Sequence, residues 1–128
     1  MCGIFSILNL KNYSQLPKST VLNSFKQGKP RGPESEKYND SYMESHQLIL
    51  GFHRLSIVGL NSESDQPITV GNVTVICNGE IYNYKELARQ FDITLTTDSD
   101  CEIIIPLFTL FGIETALTLL DGVFAFVL

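Results

Sequence analysis

Short apolar runs separated by turn residues are the feature that most constrains the fold of this chain. Five such runs are short enough to be strands: residues 3–8, 47–53, 68–70, 73–77 and 123–128. Two of them are joined only by Gly71 and Asn72, a connection typical of a β-hairpin. Because the predicted strands come in hairpin-like pairs, the pattern favours antiparallel sheets over a doubly wound parallel sheet, and an α+β class.

The remaining periodic segments predict helices and two weaker strands. Helices are expected over residues 17–27, 84–91 and 99–111, with a further short helix after Gly112, and the weaker strands over 37–45 and 92–96. Ser99 and Glu102 have the spacing of a capping box at the start of the third helix. Pro106 is expected to kink that helix, and Gly112 to break it. Residues 54–66 are expected to form a long loop, a kind of segment that often carries function.

The composition indicates one domain over residues 1–128. The chain has 128 residues, of which 44% are hydrophobic and 18% charged, as in ordinary globular proteins. Its net charge is −5 and it has no basic cluster, so we expect no nucleic-acid partner. The apolar run at residues 103–108 is shorter than the roughly 20 residues that a membrane span needs. Because no signal-peptide pattern is visible either, we expect no membrane association and a cytoplasmic protein.

The cysteines and histidines argue against structural cross-links. Three cysteines (Cys2, Cys77 and Cys101) are an odd number without close pairing, which is not typical of a disulfide framework. Two histidines and the absence of a C-x-x-C motif argue against a zinc site, and we expect no metal. Cys77 and Cys101 are expected to be small buried residues.

Cys2 is the strongest candidate for chemistry. If Met1 is removed, Cys2 carries both a thiol and a free α-amine on one residue. A thiolate is a strong nucleophile once a base has taken its proton. An α-amine has an ordinary pKa of about 7.7–8.0, so much of it is a free base near neutrality. Such a residue contains its own nucleophile and base, as in the N-terminal variants of the catalytic triad.

Seven motifs in a fixed order strengthen this hypothesis. They are residues 2–5, 31–33, 54–58, 66–67, 78–83, 99–102 and 121–126. With these motifs at comparable spacings, the chain closely resembles the class II glutamine amidotransferase domain of glutamine-hydrolysing asparagine synthetases. The resemblance covers essentially all 128 residues. Pro30, Glu34, Phe52 and Gly59 depart from the residues usual at these positions in the family.

The resemblance implies an N-terminal-nucleophile hydrolase fold, a four-layer αββα sandwich of antiparallel sheets. In the family, the strand at residues 123–128 is followed by further strands and then by an ATP-dependent synthetase domain. We therefore expect this domain to be incomplete at its C-terminal end. The domain itself is expected to need no cofactor, with ATP and Mg²⁺ required only where a separate synthetase domain or second chain is present.

The resemblance also implies a role for each site residue. Cys2 attacks the side-chain amide of L-glutamine, and Asn78 with the Gly79 N–H forms the oxyanion hole. Arg54 binds the substrate α-carboxylate, while Asp100 and the backbone near Gly79 and Glu80 hold the α-ammonium group. The backbone of three further residues lines the pocket: Ser56, Ile57 and Val58. These roles suit the chemistry, since amide cleavage forms an oxyanion and arginine binds carboxylates in a bidentate fashion.

Structural interpretations of the same residues stay open. An Asn-Gly pair after a strand is often only a turn, and Asp100 suits a helix N-terminus in any protein. Two functions are therefore compatible with the sequence. The first is glutamine hydrolysis to glutamate and ammonia through a Cys2 thioester. The second is an inactive remnant that binds glutamine or a partner protein.

Overall fold

The computed structural model describes residues 2–10, 16–42, 46–55 and 64–128, and its strands form two antiparallel sheets of three. The first sheet has the order β1 (Gly3–Leu10), β3 (His46–Arg54), β2 (Ser35–Tyr42). The second has the order β4 (Ile68–Val70), β5 (Val73–Ile81), β6 (Gly122–Val127). The predicted α+β class with antiparallel sheets is confirmed.

Three α-helices accompany the sheets within the described part of the chain. They are α1 (Lys18–Lys26), α2 (Tyr84–Gln90) and α3 (Ile104–Leu119). Two short 3₁₀ helices lie at Lys29–Arg31 and Asp100–Ile103, the second running directly into α3. The three predicted helical regions and the hairpin at Gly71 are confirmed, with boundaries shifted by a few residues.

Strand β3 is central to the fold because it is buried on both faces. On one face, the His53 ring stacks on Phe25 of α1 at a centroid distance of 4.2 Å, and the Phe25 ring covers Gly51. On the other face, Leu48 and Leu50 line an apolar cavity of about 620 Å³ shared with β6 and α3. Side chains alternate between the faces of a strand, so this pattern places α1 on one side of the first sheet and the second sheet on the other.

The second sheet is covered by helices. Strand β5 contacts β1 and β3 as well as the Asp100–Ile103 turn and α3. Apolar residues from this region form one cluster, which includes Val75, Ile81, Leu87, Ile104 and Leu107. This cluster is the main hydrophobic core among the described residues.

Three predictions about the second half of the chain are wrong. Strand β5 does not end before Asn78 but continues to Ile81, because its last six residues pair with β6. Residues 92–96 form no strand, since the Thr96 and Thr97 amides donate hydrogen bonds of 2.7 Å to the Glu102 carboxylate instead of to a neighbouring strand. The capping box does not form either, because the Glu102 N–H donates to the Ser99 carbonyl and the Ser99 N–H donates to Thr97 Oγ1, and Ser99 makes no side-chain cap.

The predicted kink at Pro106 is also wrong, whereas the break at Gly112 is confirmed. Pro106 lies in the first turn of α3, where backbone N–H groups have no partner within the helix and a proline loses nothing. Gly112 has φ 76° and ψ 167°, which interrupts the helix at a residue that adopts positive φ without a Cβ penalty.

The helical stretch Asp100–Leu119 is long and apolar enough to cross a membrane by length and composition, with a mean hydropathy of 1.6 over its best 18-residue window. One such helix is weak evidence, because core helices of other proteins meet the same criterion. Its first half supplies Ile103, Ile104 and Leu107 to the core described above.

Candidate functional site

A cavity of about 270 Å³ lies where the ends of the two sheets meet. It is lined by six of the nine residues singled out from the sequence: Cys2, Arg54, Asn78, Gly79, Glu80 and Asp100. Cys2 directly precedes β1 and Arg54 ends β3, both in the first sheet. The other four residues lie in β5 or in the turn before α3. Residues up to 98 positions apart are therefore brought to one cavity. The other three, Ser56, Ile57 and Val58, lie outside the described residues.

The Cys2 thiol is held by the backbone that follows β3. Its Sγ lies 3.3 Å from the Leu55 N–H, which donates to it, and 3.3 Å from the Leu55 carbonyl, which accepts from it. The Arg31 Nε–H donates a 3.1 Å hydrogen bond to the Cys2 carbonyl. The Leu55 backbone thus holds the thiol at the cavity through both its N–H and its carbonyl group.

Asn78 and Gly79 lie on the opposite wall, in β5. A Cβ atom at Gly79 would lie 2.2 Å from the Val123 carbonyl oxygen, so only glycine allows β6 to approach this closely. Asn78 Oδ1 is buried and has no hydrogen-bond partner among the described residues. The pair is therefore part of a paired strand and not a free turn, which contradicts the structural interpretation of Asn-Gly as a turn.

Gln66 lines the cavity and contacts the backbone of β5. It is 5% exposed, and its Oε1 accepts a hydrogen bond from the Cys77 N–H, one residue before Asn78. The peptide bond between Gln66 and Pro67 is cis. Gln66 thus links the segment that follows the long loop to the strand that carries Asn78.

Arg54 provides the cationic side of the cavity. It is the last residue of β3 and is 7% exposed. Its Nη1 makes an ion pair with Asp65 Oδ1, and Asp65 Oδ2 lies 3.7 Å from Lys37 Nζ. A buried guanidinium in contact with a carboxylate keeps its charge without an unpaired-charge penalty.

Asp100 provides a buried carboxylate on the other side. It is 6% exposed, and its Oδ2 accepts a 2.7 Å hydrogen bond from the Ile81 N–H at the end of β5. Glu80 and Tyr82 are exposed and line the same cavity. A ligand in the cavity would therefore meet one cation, one buried carboxylate and a further carboxylate at an exposed position.

The other two cysteines also line the cavity but are buried. Cys77 is 1% and Cys101 2% exposed, as expected, and all three cysteines are free thiols. A hydrogen bond with Cys77 and burial raise the pKa of the Cys101 thiol far above its ordinary value. Cys101 therefore stays protonated, which makes it a poor nucleophile compared with the more exposed Cys2.

The comparisons with known proteins identify the family of this chain. The family model described as a glutamine amidotransferase domain matches residues 1–128. The chain belongs to the glutamine amidotransferase family. It resembles the N-terminal part of glutamine-hydrolysing asparagine synthetases, as the motifs indicated.

Similar proteins of this family come from a virus and from plants. The chain is 38% identical over 129 residues to a probable glutamine-hydrolysing asparagine synthetase of Acanthamoeba polyphaga mimivirus, covering 100% of this chain and 23% of that protein. It is 38% identical over 134 residues to an asparagine synthetase of Sandersonia aurantiaca, covering 100% of this chain and 24% of the other. A root asparagine synthetase of Pisum sativum is 35% identical over 133 residues, covering 99% and 21%. The chain thus spans about a quarter or less of these amidotransferase relatives.

Several residues of the site were missed by the role assignments from the sequence. Arg31 and Gln66 lie in two of the family motifs, which was a signal, but their partners are 29 and 11 positions away. Leu55 acts through its backbone, which side-chain chemistry does not reveal. Within the described ranges, no group of three or more His, Cys, Asp or Glu side chains is placed to hold a metal ion.

Proposed function

We propose that this chain hydrolyses L-glutamine to glutamate and ammonia, with Cys2 as the nucleophile. The observation that carries the proposal is the cavity that the Cys2 thiol shares with Asn78, Gly79, Arg54 and Asp100. In the proposed reaction, Met1 is removed and the free α-amine of Cys2 takes the thiol proton. The Sγ atom then bonds to the side-chain amide carbon of glutamine.

The intermediate resolves in two steps. The carbon–nitrogen bond breaks, the nitrogen receives the proton held by the α-amine, and ammonia leaves a glutamyl thioester on Cys2. Water then adds to the thioester, the carbon–sulfur bond breaks, and glutamate leaves while the thiol regains its proton. The Asn78 side-chain amide and the Gly79 N–H stabilise the oxyanion in both steps. The loss of one such donor typically costs about 10²–10³ in rate.

The amino-acid head group of glutamine explains the charges in the cavity. The Arg54 guanidinium binds the α-carboxylate, and Asp100 with Glu80 and the Gly79 backbone holds the α-ammonium. Ser56, Ile57 and Val58 stay predicted backbone contacts of the substrate. A zwitterionic ligand suits this cavity because its carboxylate and ammonium groups can each interact with a group of opposite charge, which a neutral amide cannot do.

The wider context follows from the family. We infer that the two sheets belong to a four-layer N-terminal-nucleophile hydrolase fold, with α1 outside one sheet and α2 and α3 outside the other. A synthetase domain or a second chain would consume the ammonia, and only there would ATP and Mg²⁺ take part. A cytoplasmic location fits a reaction that requires a reduced thiol.

The proposal is tested by replacing the nucleophile. Cys2→Ala is expected to abolish glutamate release from L-glutamine, measured on protein whose folding is checked by circular dichroism. Intact mass must show that Met1 is absent from the unsubstituted chain. Cys101→Ala is the matched control, because it removes a buried thiol of the same cavity that stays protonated; it should retain turnover.

Three outcomes would contradict the proposal: turnover that survives Cys2→Ala, retention of Met1 in the active protein, or no turnover by the folded unsubstituted chain. The last outcome together with measurable glutamine binding would support the alternative, an inactive glutamine-binding remnant. Iodoacetamide gives a second measurement, since Cys2 should be alkylated in the folded protein while Cys77 and Cys101 are protected by burial.

A further inference from the structure

Asp65 contacts Arg54 without contacting the cavity. Its neighbours Ser64 and Gln66 both line the cavity, whereas Asp65 is not among the lining residues. The Asp65 side chain instead contacts the Arg54 guanidinium and lies near the Lys37 ammonium group. Asp65 therefore reaches the guanidinium from outside the cavity.

This ion pair is largely removed from solvent. The side chains of Arg54 and Asp65 are 8% and 12% exposed, and Nη1 of the arginine binds Oδ1 of the aspartate. Lys37, whose side chain is 49% exposed, lies 3.7 Å from the second carboxylate oxygen. A buried guanidinium whose carboxylate partner is removed is poorly solvated, so it would move toward water or another acceptor.

The Arg54 side of the cavity favours an anionic group of a ligand, whereas Asp100 and Glu80 supply negative charge elsewhere on the cavity wall. Arg54 and Lys37 contribute two positive charges and Asp65 one negative charge, which leaves one positive charge in total. A guanidinium has five N–H donors and can bind more than one carboxylate, and Arg54 both contacts Asp65 and lines the cavity. Asp65 is thus placed to orient the guanidinium without occupying the position of a ligand.

We propose that Asp65 is a positioning residue that holds the Arg54 guanidinium for the α-carboxylate of the substrate. The proposal rests on the proposed function, because it takes L-glutamine as the ligand. Asp65 itself does not touch the substrate. Its removal should weaken the binding of ligands that carry an α-carboxylate and should leave the reacting amide and Cys2 unaffected.

The test measures binding and not turnover. In the full chain carrying Cys2→Ala, calorimetry gives the Kd of L-glutamine and of L-glutaminamide, in which a neutral amide replaces the α-carboxylate. Asp65→Asn keeps the shape of the side chain and removes its charge. It is expected to raise the Kd of L-glutamine about tenfold, the loss of roughly one charge-assisted hydrogen bond, and to change that of L-glutaminamide less than about twofold.

The matched control is Asp40→Asn, the same change at a carboxylate of β2 that accepts a 2.9 Å hydrogen bond from Gln47 and does not line the cavity. It should change neither Kd by more than about twofold. If Asp65→Asn does not fold, Asp65→Glu is used in its place. Its extra methylene displaces the guanidinium, so we expect a smaller rise in the Kd of L-glutamine and no change in that of L-glutaminamide.

Each result decides the proposal. A Kd for L-glutamine that is unchanged or lower, or equal weakening of both ligands, overturns the positioning role while leaving the proposed function intact. If the folded chain with Asp65 present binds neither ligand, the positioning role and the proposed function are both overturned. In that case the unsubstituted chain should also show no turnover of L-glutamine. In an active chain, the same change should raise KM about tenfold with kcat within about twofold, because the carboxylate contact is uniform in ground and transition states.

Discussion

The two halves of this structure are stabilised in different ways. The half formed by the second sheet with α2 and α3 contains one cluster of eleven buried residues, nine of them aliphatic and two of them cysteines. Among the residues that the structure describes, the half formed by the first sheet and α1 buries fewer apolar side chains: Val21, Phe25, Ile49, Leu50 and Phe52. It also buries His53 and Arg54, which need specific polar partners.

The two halves contribute different residues to the site. The second half presents the Asn78-Gly79 donors on a strand that is fixed by a large apolar core. The first half presents Cys2 and Arg54, whose positions depend on individual contacts with Leu55, Arg31 and Asp65. Single substitutions in the first half should therefore affect the site more than those of similar size in the second half.

The largest expected effect comes from Phe25→Ala. The Phe25 ring is 3% exposed and contacts Phe5, Tyr38 and His53 at centroid distances of 5.8, 5.5 and 4.2 Å. Removing a buried phenylalanine typically lowers the free energy of unfolding by about 3–5 kcal/mol. Denaturant unfolding measures this loss, and amide hydrogen exchange should localise it to β1, β2 and β3.

Leu107→Ala in the other half is the comparison for that variant. Leu107 is fully buried in the α3 core, and its truncation should cost about 2–5 kcal/mol. Its loss of exchange protection should concentrate in β5, β6 and α3. If both variants lower protection uniformly over both sheets, the halves unfold as one cooperative unit and are not stabilised separately.

Glu102→Gln is expected to have an intermediate effect, and it tests whether the second half also depends on a polar contact. The Glu102 carboxylate accepts four hydrogen bonds of 2.6–2.8 Å from the amides and hydroxyls of Thr96 and Thr97. Hydrogen bonds to charged groups contribute about 1.5–3 kcal/mol each, but a glutamine keeps one acceptor oxygen. We expect a loss of about 2–3 kcal/mol at neutral pH.

The effect of Glu102→Gln should depend on pH. Burial alone would raise the pKa of Glu102, but hydrogen bonds from Thr97 and Thr96 outweigh it and hold that pKa below its ordinary value of about 4.3. A carboxyl with a lowered pKa in the folded state stabilises the fold fully above its unfolded-state pKa. This contribution is lost as the pH falls through the lower folded-state value, so the difference between variant and unsubstituted chain should shrink in acid.

The exposed Glu114 of α3 supplies the control. Glu114→Gln should change the free energy of unfolding by less than about 0.5 kcal/mol at any pH. Urea titrations from pH 7 downward measure both variants. A Glu102→Gln effect that stays constant with pH would show that the charge of the carboxylate does not matter, and that only packing is lost.

The same contrast explains what the sequence predicts well. Elements that depend on local patterns were predicted correctly: the hairpin at Gly71, helix α2 and the break at Gly112. The motifs predicted the family, and six of the nine site residues named from them line the cavity, since a motif match carries spacing information that periodicity does not. The α+β class followed from the numerous strand and helix patterns together with the hairpin-like pairing of the strands.

The errors concern partners that are distant in sequence or hidden by local signals. Asn78 and Gly79 have turn residue types, yet their pairing with Ala125 and Phe124 keeps them in β5. Residues 92–96 have strand composition, yet Glu102 takes their hydrogen-bond donors. Asp65 was part of a polar run in a long loop, and only the folded structure places it beside Arg54.

The smallest expected effect is that of Arg31→Lys, which tests how the first half holds the nucleophile. Arg31 is exposed and donates from Nε to the Cys2 carbonyl at 3.1 Å, across 29 positions of sequence. Lysine keeps the charge but has no Nε–H at that point of the side chain. The loss of one hydrogen bond, about 0.5–1.5 kcal/mol, should lower kcat about two- to tenfold.

The effect should fall on kcat and not on KM, because Arg31 contacts the nucleophile and does not line the cavity. Lys29→Arg in the same 3₁₀ turn is the matched control, since it changes one cation for another without touching Cys2, and should leave kcat within about twofold. An unchanged kcat in Arg31→Lys would mean that Leu55 alone positions the thiol. A raised KM with unchanged kcat would indicate that Arg31 contacts the substrate. The site would then contain a second cationic residue besides Arg54.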